Sequence, residues 1–172
     1  YIINQFIKYK FDKFIIATGY KSNKISKFMR DSFKKLNYKI INSGDTDILT
    51  RIRDSIEYSD NDFILCYGDT ISNINLDKLV DYSSQYPKCA TVTTFPIMIP
   101  FGVMEIGKNN FVKSFIEKPT LNSVMNIGYF YFSKKHHDLF FKYNNFIEVL
   151  SSLIKKNSLI SYQHSGIHIT VN

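Results

Sequence analysis

Residues 63–70 read FILCYGDT, five apolar or aromatic residues that run straight into a glycine, an aspartate and a threonine. Phe63, Ile64, Leu65, Cys66 and Tyr67 make a short unbroken apolar run, the pattern of a strand buried on both faces at the centre of a parallel sheet. Asp69 then stands at the carboxyl end of that strand. In open α/β sheets ligands bind at this edge, because the loops leaving the strand ends form a crevice there. Aspartate is also a favoured turn and cap residue, so the stretch alone leaves two readings, a ligand-facing carboxylate or a turn cap.

The flanking segments alternate in kind. KFIIATG (13–19) reads as a strand, and SNKISKFMRDSFKKL (22–36) sets Ile25, Phe28, Met29, Phe33 and Leu36 on one helical stripe behind Ser22 or Asn23 as cap. YKIIN (38–42) is a second strand and DTDILTRIRDSIEY (45–58) a helix; INLDKLVDYSSQY (74–86) is another helix and CATVTTFP (89–96) a further strand. Strands spaced by such helices predict βαβ units, whose right-handed crossovers place helices on both faces. Residues 1–10 also read as helix. Beyond residue 100 the pattern predicts a hairpin over 101–119 turning at GKNN (107–110), a strand at NIGYFYFS (126–133), helices over 134–143 and 145–157, and extended chain over 159–172. The fold expected is α/β: a Rossmann-like three-layer α/β/α domain with a mixed, mainly parallel central sheet. That sheet should hold 13–18, 38–42, 62–67 and 89–95, with 111–117 and 127–132 beside them, and Gly19, Asp69 and Pro96 along one edge.

At 172 residues the chain is one domain's worth, and 16% aromatic residues argue against disorder. The net charge of +7 invites an anionic partner. Its lysines, among them Lys8, Lys13, Lys24 and Lys35, are scattered over helix faces without a nucleic-acid motif, so a solvated basic surface and a small phosphorylated substrate fit better than a nucleic acid. Cys66 and Cys89 fall in expected strands without metal spacing, as buried free thiols of a reducing compartment. No apolar run has the length of a membrane span, and YIINQF lacks the pattern of a signal peptide. A cytoplasmic chain, possible as a homo-oligomer, is expected; a start without Met suggests a fragment.

Two short motifs carry charge. GDTD (44–47) offers Asp45 and Asp47 as a metal-holding pair or as caps for the helix that follows. IEKP (116–119) leaves a strand with Glu117 and Lys118 on opposite faces, so Lys118 is either a phosphate partner or half of a strand-end charge pair. His136, His137, His164 and His168 show no ligand spacing, and the adjacent His136 and His137 are expected at the surface.

In order, TGYKSNKISKF (18–28), NSGDTDILTRI (42–52), FILCYGDTISNINL (63–76), TTFPIMIPFGVMEI (93–106), FVKSFIEKP (111–119) and MNIGYFYF (125–132) resemble the sugar-phosphate nucleotidyltransferase family, and most closely its cytidylyltransferases acting on glucose-1-phosphate. The resemblance implies an enzyme in which a sugar-1-phosphate oxygen attacks the α-phosphorus of a nucleoside triphosphate, here CTP, giving a nucleotide-sugar and pyrophosphate. It implies Mg²⁺ held by Asp69, a sugar phosphate met by Lys118, sugar hydroxyls bound by Glu117 and Asn126, and close backbone approach at Gly102 and Gly128. Such a reaction needs alignment and charge neutralisation more than a protein nucleophile.

The sequence also departs from the family. The glycine-rich signature loop would precede YIINQFIKYKF, so residues 1–172 are expected to form a single domain without that loop and without the C-terminal end. Thr50 and Arg51 stand at the paired base-binding glycines, and GIHITVN (166–172) puts Asn172 at the second metal position. The alternative reading is therefore a non-catalytic domain that binds a sugar phosphate or nucleotide-sugar.

Overall fold

A computed structural model describes residues 1–59 and 61–171. Its elements are α1 (Ile2–Phe6), β1 (Phe14–Thr18), α2 (Ser22–Ser32), β2 (Tyr38–Asn42), α3 (Ile48–Ile56), β3 (Phe63–Cys66), β4 (Thr70–Ser72), α4 (Leu76–Ser84), β5 (Ala90–Met98), β6 (Val103–Ile106), β7 (Val112–Ile116), β8 (Thr120–Phe132), a 3₁₀ helix (Lys134–Phe141), α5 (Phe146–Lys155), β9 (Leu159–Gln163) and β10 (His168–Thr170).

The expected α/β architecture is present. Four strands form the central sheet in the order β3-β8-β5-β9. β3 and β5 both run antiparallel to β8, and β9 runs parallel to β5, so three strands share a direction and β8 opposes them. Along β8 the side chains alternate between faces. Phe130 and Phe132 join Leu49, Ile52, Phe146, Val149 and Leu153 of α3 and α5 in one core. Ile127 and Tyr129 join Phe6 of α1 and Leu76 and Leu79 of α4 in the other. Helices thus cover both faces, which makes the three layers.

The FILCY run packs on both faces, but it is not the centre of a parallel sheet: among the described residues β3 stands at the edge of the four-stranded sheet and pairs antiparallel with β8, because β8 inserts beside it against the direction of β3 and β5. Phe63, Leu65 and Tyr67 pack against the first core, while Ile64 and Cys66 pack against the second. Burial pushes the Cys66 thiol up to about 12. Cys89 lies one residue before β5, and both cysteines are free.

Three further details differ from the sequence expectation. β1 and β2 pair in parallel as a two-stranded sheet of their own. Among the described residues, 112–116 pair only with β6, in a hairpin outside the central sheet. Pro96 does not end its strand: β5 runs on to Met98 through a register shift between Pro96 and Met98, a place where a missing N–H is tolerated. His136 is also corrected. It is buried, because its Nδ1 accepts from the Ser133 N–H at 3.2 Å and the ring folds back to cap the 3₁₀ helix. His137 is half-buried, with its ring 5.5 Å from that of Phe63.

Candidate active site

β3 ends at Cys66, and Tyr67, Gly68 and Asp69 lead from it into β4. The Tyr67 N–H donates to the Gly128 carbonyl at 2.9 Å, which fixes this turn against β8. The Asn126 side chain lies near the Tyr67 hydroxyl and counters part of the rise in its pKa. Asn126 Oδ1 in turn accepts from the Gly128 N–H at 2.8 Å. Gly128 has φ +76°, and a Cβ there would stand 2.7 Å from the Tyr67 ring. The strand can therefore approach the ring only as glycine, in a conformation that costs other residues free energy. Burial first, and the Asp69 charge after it, hold the Tyr67 hydroxyl above its ordinary range.

Asp69 itself is exposed. Its carboxylate accepts from the Thr70 hydroxyl at 3.3 Å and, among the described residues, from no backbone N–H, so it does not serve as a turn cap. The Asp69 carbonyl accepts from the Val171 N–H at 2.8 Å, which brings the chain after β10 onto this loop. Asp69, Asn126 and Gly128 are thus gathered at the carboxyl end of β3. Tyr67, which sequence reasoning passed over as the last apolar residue of its strand, joins them.

Gly102, Glu117 and Lys118 form a second group at the root of the β6–β7 hairpin. A Cβ on Gly102 would collide with the Phe115 ring and stand 3.1 Å from Glu117 Oε2. Lys118 is exposed and has φ 45°, a left-handed conformation for a side chain that gains nothing from it locally. The Ile99 N–H donates to the Pro119 carbonyl at 3.0 Å and closes the root. Residues 120–125 of β8 separate the two groups, roughly 20 Å of chain if straight. Register shifts at Val92/Thr94 and Pro96/Met98 bend the paired β5. Among the described residues no hydrogen bond or ion pair joins the groups.

Of the GDTD residues, Asp47 is a cap: its side chain accepts from the Leu49 N–H at 2.7 Å and the Thr50 N–H at 3.1 Å. The Thr50 hydroxyl, foremost, and these N–H groups lower its pKa. Asp45 is exposed just before that cap. Arg51 donates to the carbonyls of Thr46 and Gly44, at 3.3 and 3.0 Å. Thr50 and Arg51 are therefore occupied within the chain. Asn172 lies outside the described residues.

Among the described residues no three His, Cys, Asp or Glu side chains cluster as a metal cage. The donor set suits Mg²⁺ nonetheless, since that ion takes one or two carboxylates and draws its remaining ligands from phosphate and water. Asp69, exposed at a strand end, offers such a carboxylate. An open cleft of about 390 Å³ lined by Tyr9, Phe11, Leu76 and Asp81 contains none of these residues.

Residues 1–159 match the family model for nucleotidyl transferases. The chain belongs to that family. A probable glucose-1-phosphate cytidylyltransferase of Bacillus subtilis is 30% identical over 92% of this chain and 72% of its own length. The glucose-1-phosphate cytidylyltransferase of Salmonella typhimurium is 27% identical over 89% of this chain and 70% of its own. Among solved structures, HddC from Yersinia pseudotuberculosis matches with a TM-score of 0.66 at 18% identity, covering 98% of this chain and 75% of that one. A UDP-glucose pyrophosphorylase complexed with UDP-glucose matches at 0.66 and 14%, covering 91% and 74%. These structures share the fold. The nucleotidyltransferase resemblance in the sequence is borne out, and with it the reading of the chain as an enzyme. Among the described residues no helix is long and apolar enough to cross a membrane.

Proposed function

We propose that this nucleotidyltransferase joins CTP to a glucose-type sugar-1-phosphate. The observation that carries the proposal is the exposed Asp69 just beyond the carboxyl end of β3, beside Tyr67, Asn126 and Gly128, in a chain whose relatives include glucose-1-phosphate cytidylyltransferases. A sugar-phosphate oxygen forms a bond to the α-phosphorus, the bond from that phosphorus to the bridging oxygen breaks, and pyrophosphate leaves. Bound Mg²⁺ would neutralise phosphate charge as the bond exchanges. Asp69 would hold that ion. Lys118 provides a point charge for the sugar phosphate, Glu117 and Asn126 offer oxygen and amide partners for sugar hydroxyls, and Gly102 and Gly128 admit the Phe115 and Tyr67 rings that border these groups. No side chain has to act as a nucleophile; the chain's work is positioning and charge stabilisation.

A second reading, a non-catalytic binding domain for sugar phosphates or nucleotide-sugars, is favoured by one observation: Thr50 and Arg51 are held by internal hydrogen bonds where the resemblance puts base-binding glycines. Pyrophosphate release measured with CTP, UTP, dTTP and GTP against glucose-1-phosphate separates the readings. Release strongest with CTP, and lost in Asp69→Asn and Lys118→Ala, supports the enzyme proposal. Calorimetric binding of glucose-1-phosphate without release under any nucleotide supports the binding domain instead.

A further inference from the structure

β10 presents a problem of stability. It is three residues long and among the described residues pairs only with β4, and a two-stranded sheet of that size is marginal in water. Apolar burial holds it only at His168, whose ring lies 5.5 Å from that of Phe95, while Ile167, Ile169 and Val171 are all more than half exposed. Yet it lies beside the candidate phosphate site, with Thr170 opposite Thr70 and the Val171 N–H on the Asp69 carbonyl.

A polar knot at its entry supplies the hold. Asn73 follows β4, and its Oδ1 accepts from the Ile167 N–H at 2.6 Å and lies 3.0 Å from His164 Nε2. The Asn73 N–H returns a bond to the Ile167 carbonyl at 3.2 Å. That carbonyl is also 3.3 Å from His164 Nε2. Both neighbours of Nε2 are acceptors, so this nitrogen carries the hydrogen. The His164 N–H donates to the Thr94 carbonyl at 2.8 Å, tying the knot to β5. The imidazole is buried, with its ring 6.0 Å from that of Phe95. Gly166 completes the turn, since a Cβ there would run into Asn73 Oδ1 and the His164 ring.

We infer that Asn73 and His164 form a latch that holds β10 against the loop carrying Asp69, which makes them positioning residues for the phosphate end of the site. The inference rests on the reading of Asp69 as the metal- and phosphate-facing carboxylate. The latch acts through the backbone: it anchors the turn, the turn places β10, and the Val171 N–H just after β10 occupies the Asp69 carbonyl. Releasing it frees the Asp69 loop while leaving the central sheet intact.

Four variants test this on the full chain. Asn73→Ala removes the shared acceptor, and Asn73→Asp keeps an oxygen for both N–H donors. His164→Phe keeps a ring beside Phe95 without the donor, and His164→Gln keeps a donor within reach of Asn73. Amide hydrogen exchange over residues 168–171 should quicken at least tenfold in Asn73→Ala and His164→Phe, remain near wild type in the two conservative variants, and stay unchanged in β5 and β8. Calorimetry with CTP and Mg²⁺ should show affinity weakened about tenfold in the same two variants and restored in the conservative pair. Unchanged exchange means there is no latch. Quickened exchange with wild-type affinity, where Asp69→Asn does weaken binding, means the latch positions nothing. If Asp69→Asn itself binds as wild type does, the reading of Asp69 fails and the positioning role falls with it.

Discussion

Replacing Gly128 with alanine tests the tightest contact in the candidate site. Two costs follow from the structure. At φ +76° a Cβ brings a left-handed backbone penalty of roughly 1–2 kcal/mol. The same Cβ would stand 2.7–2.9 Å from three carbons of Tyr67, an overpacking of the kind that costs about 1–3 kcal/mol. Alanine stiffens the unfolded chain and returns about 0.4–1 kcal/mol. The net expectation is a loss of about 3 kcal/mol, with a range of roughly 1–5, or a fall in Tm of about 6–12 °C for a domain of this size. Urea titration followed by circular dichroism measures it. Gly68→Ala is the control, because nothing lies within 4 Å of a Cβ there and its φ is ordinary; it should change stability by less than about 0.5 kcal/mol. The packing share can be isolated by adding Tyr67→Ala, which should recover about 1–3 kcal/mol of the Gly128→Ala loss in a double-mutant cycle. Gly128→Ala as stable as wild type, or no more damaging than Gly68→Ala, would refute the reasoning.

Further outcomes follow from other sites. Lys118→Gly relieves a left-handed backbone while removing a cation, so stability should stay within about 1 kcal/mol of wild type as glucose-1-phosphate affinity drops; equal losses of both would show a structural lysine. Burial is the leading cause that lowers the pKa of both His136 and His168, so each favours its neutral form when folded. Their contribution is complete above the unfolded value of 6.5 and is lost as pH falls through the lower folded values, so the urea midpoint should decline from pH 7.5 to pH 5; a flat or rising midpoint contradicts this. With its thiol pushed up to about 12, Cys66 should resist iodoacetamide at pH 8 in the folded protein while Cys89 reacts; mass spectrometry showing equal labelling would count against the burial of Cys66.

Local physics made much of this protein legible from its residues. An unbroken apolar run calls for cover on both faces, so FILCY announced a strand between two helical layers and placed Asp69 at its end, although its place at the sheet edge, antiparallel to β8, was not legible. Asp47 could be read as a cap because its partners, the N–H groups of Leu49 and Thr50, are its near neighbours in the chain. The ordered motifs around YGD and EKP carried the family. What depends on distant segments meeting was not legible. That β8 inserts between β3 and β5 in the opposite direction follows from how two aromatic faces pack on helices from both halves of the chain. His136 looked like a surface residue until the 3₁₀ helix turned its ring onto Ser133. Tyr67 was one more apolar strand residue until β8 set Asn126 and Gly128 against it. Asn73 and His164 stand 91 positions apart with no shared motif, and only closure of the domain gives the imidazole donor its acceptor. Hydrogen bonds and close contacts between remote residues leave no periodicity behind, so tertiary structure alone decided which polar groups surround Asp69.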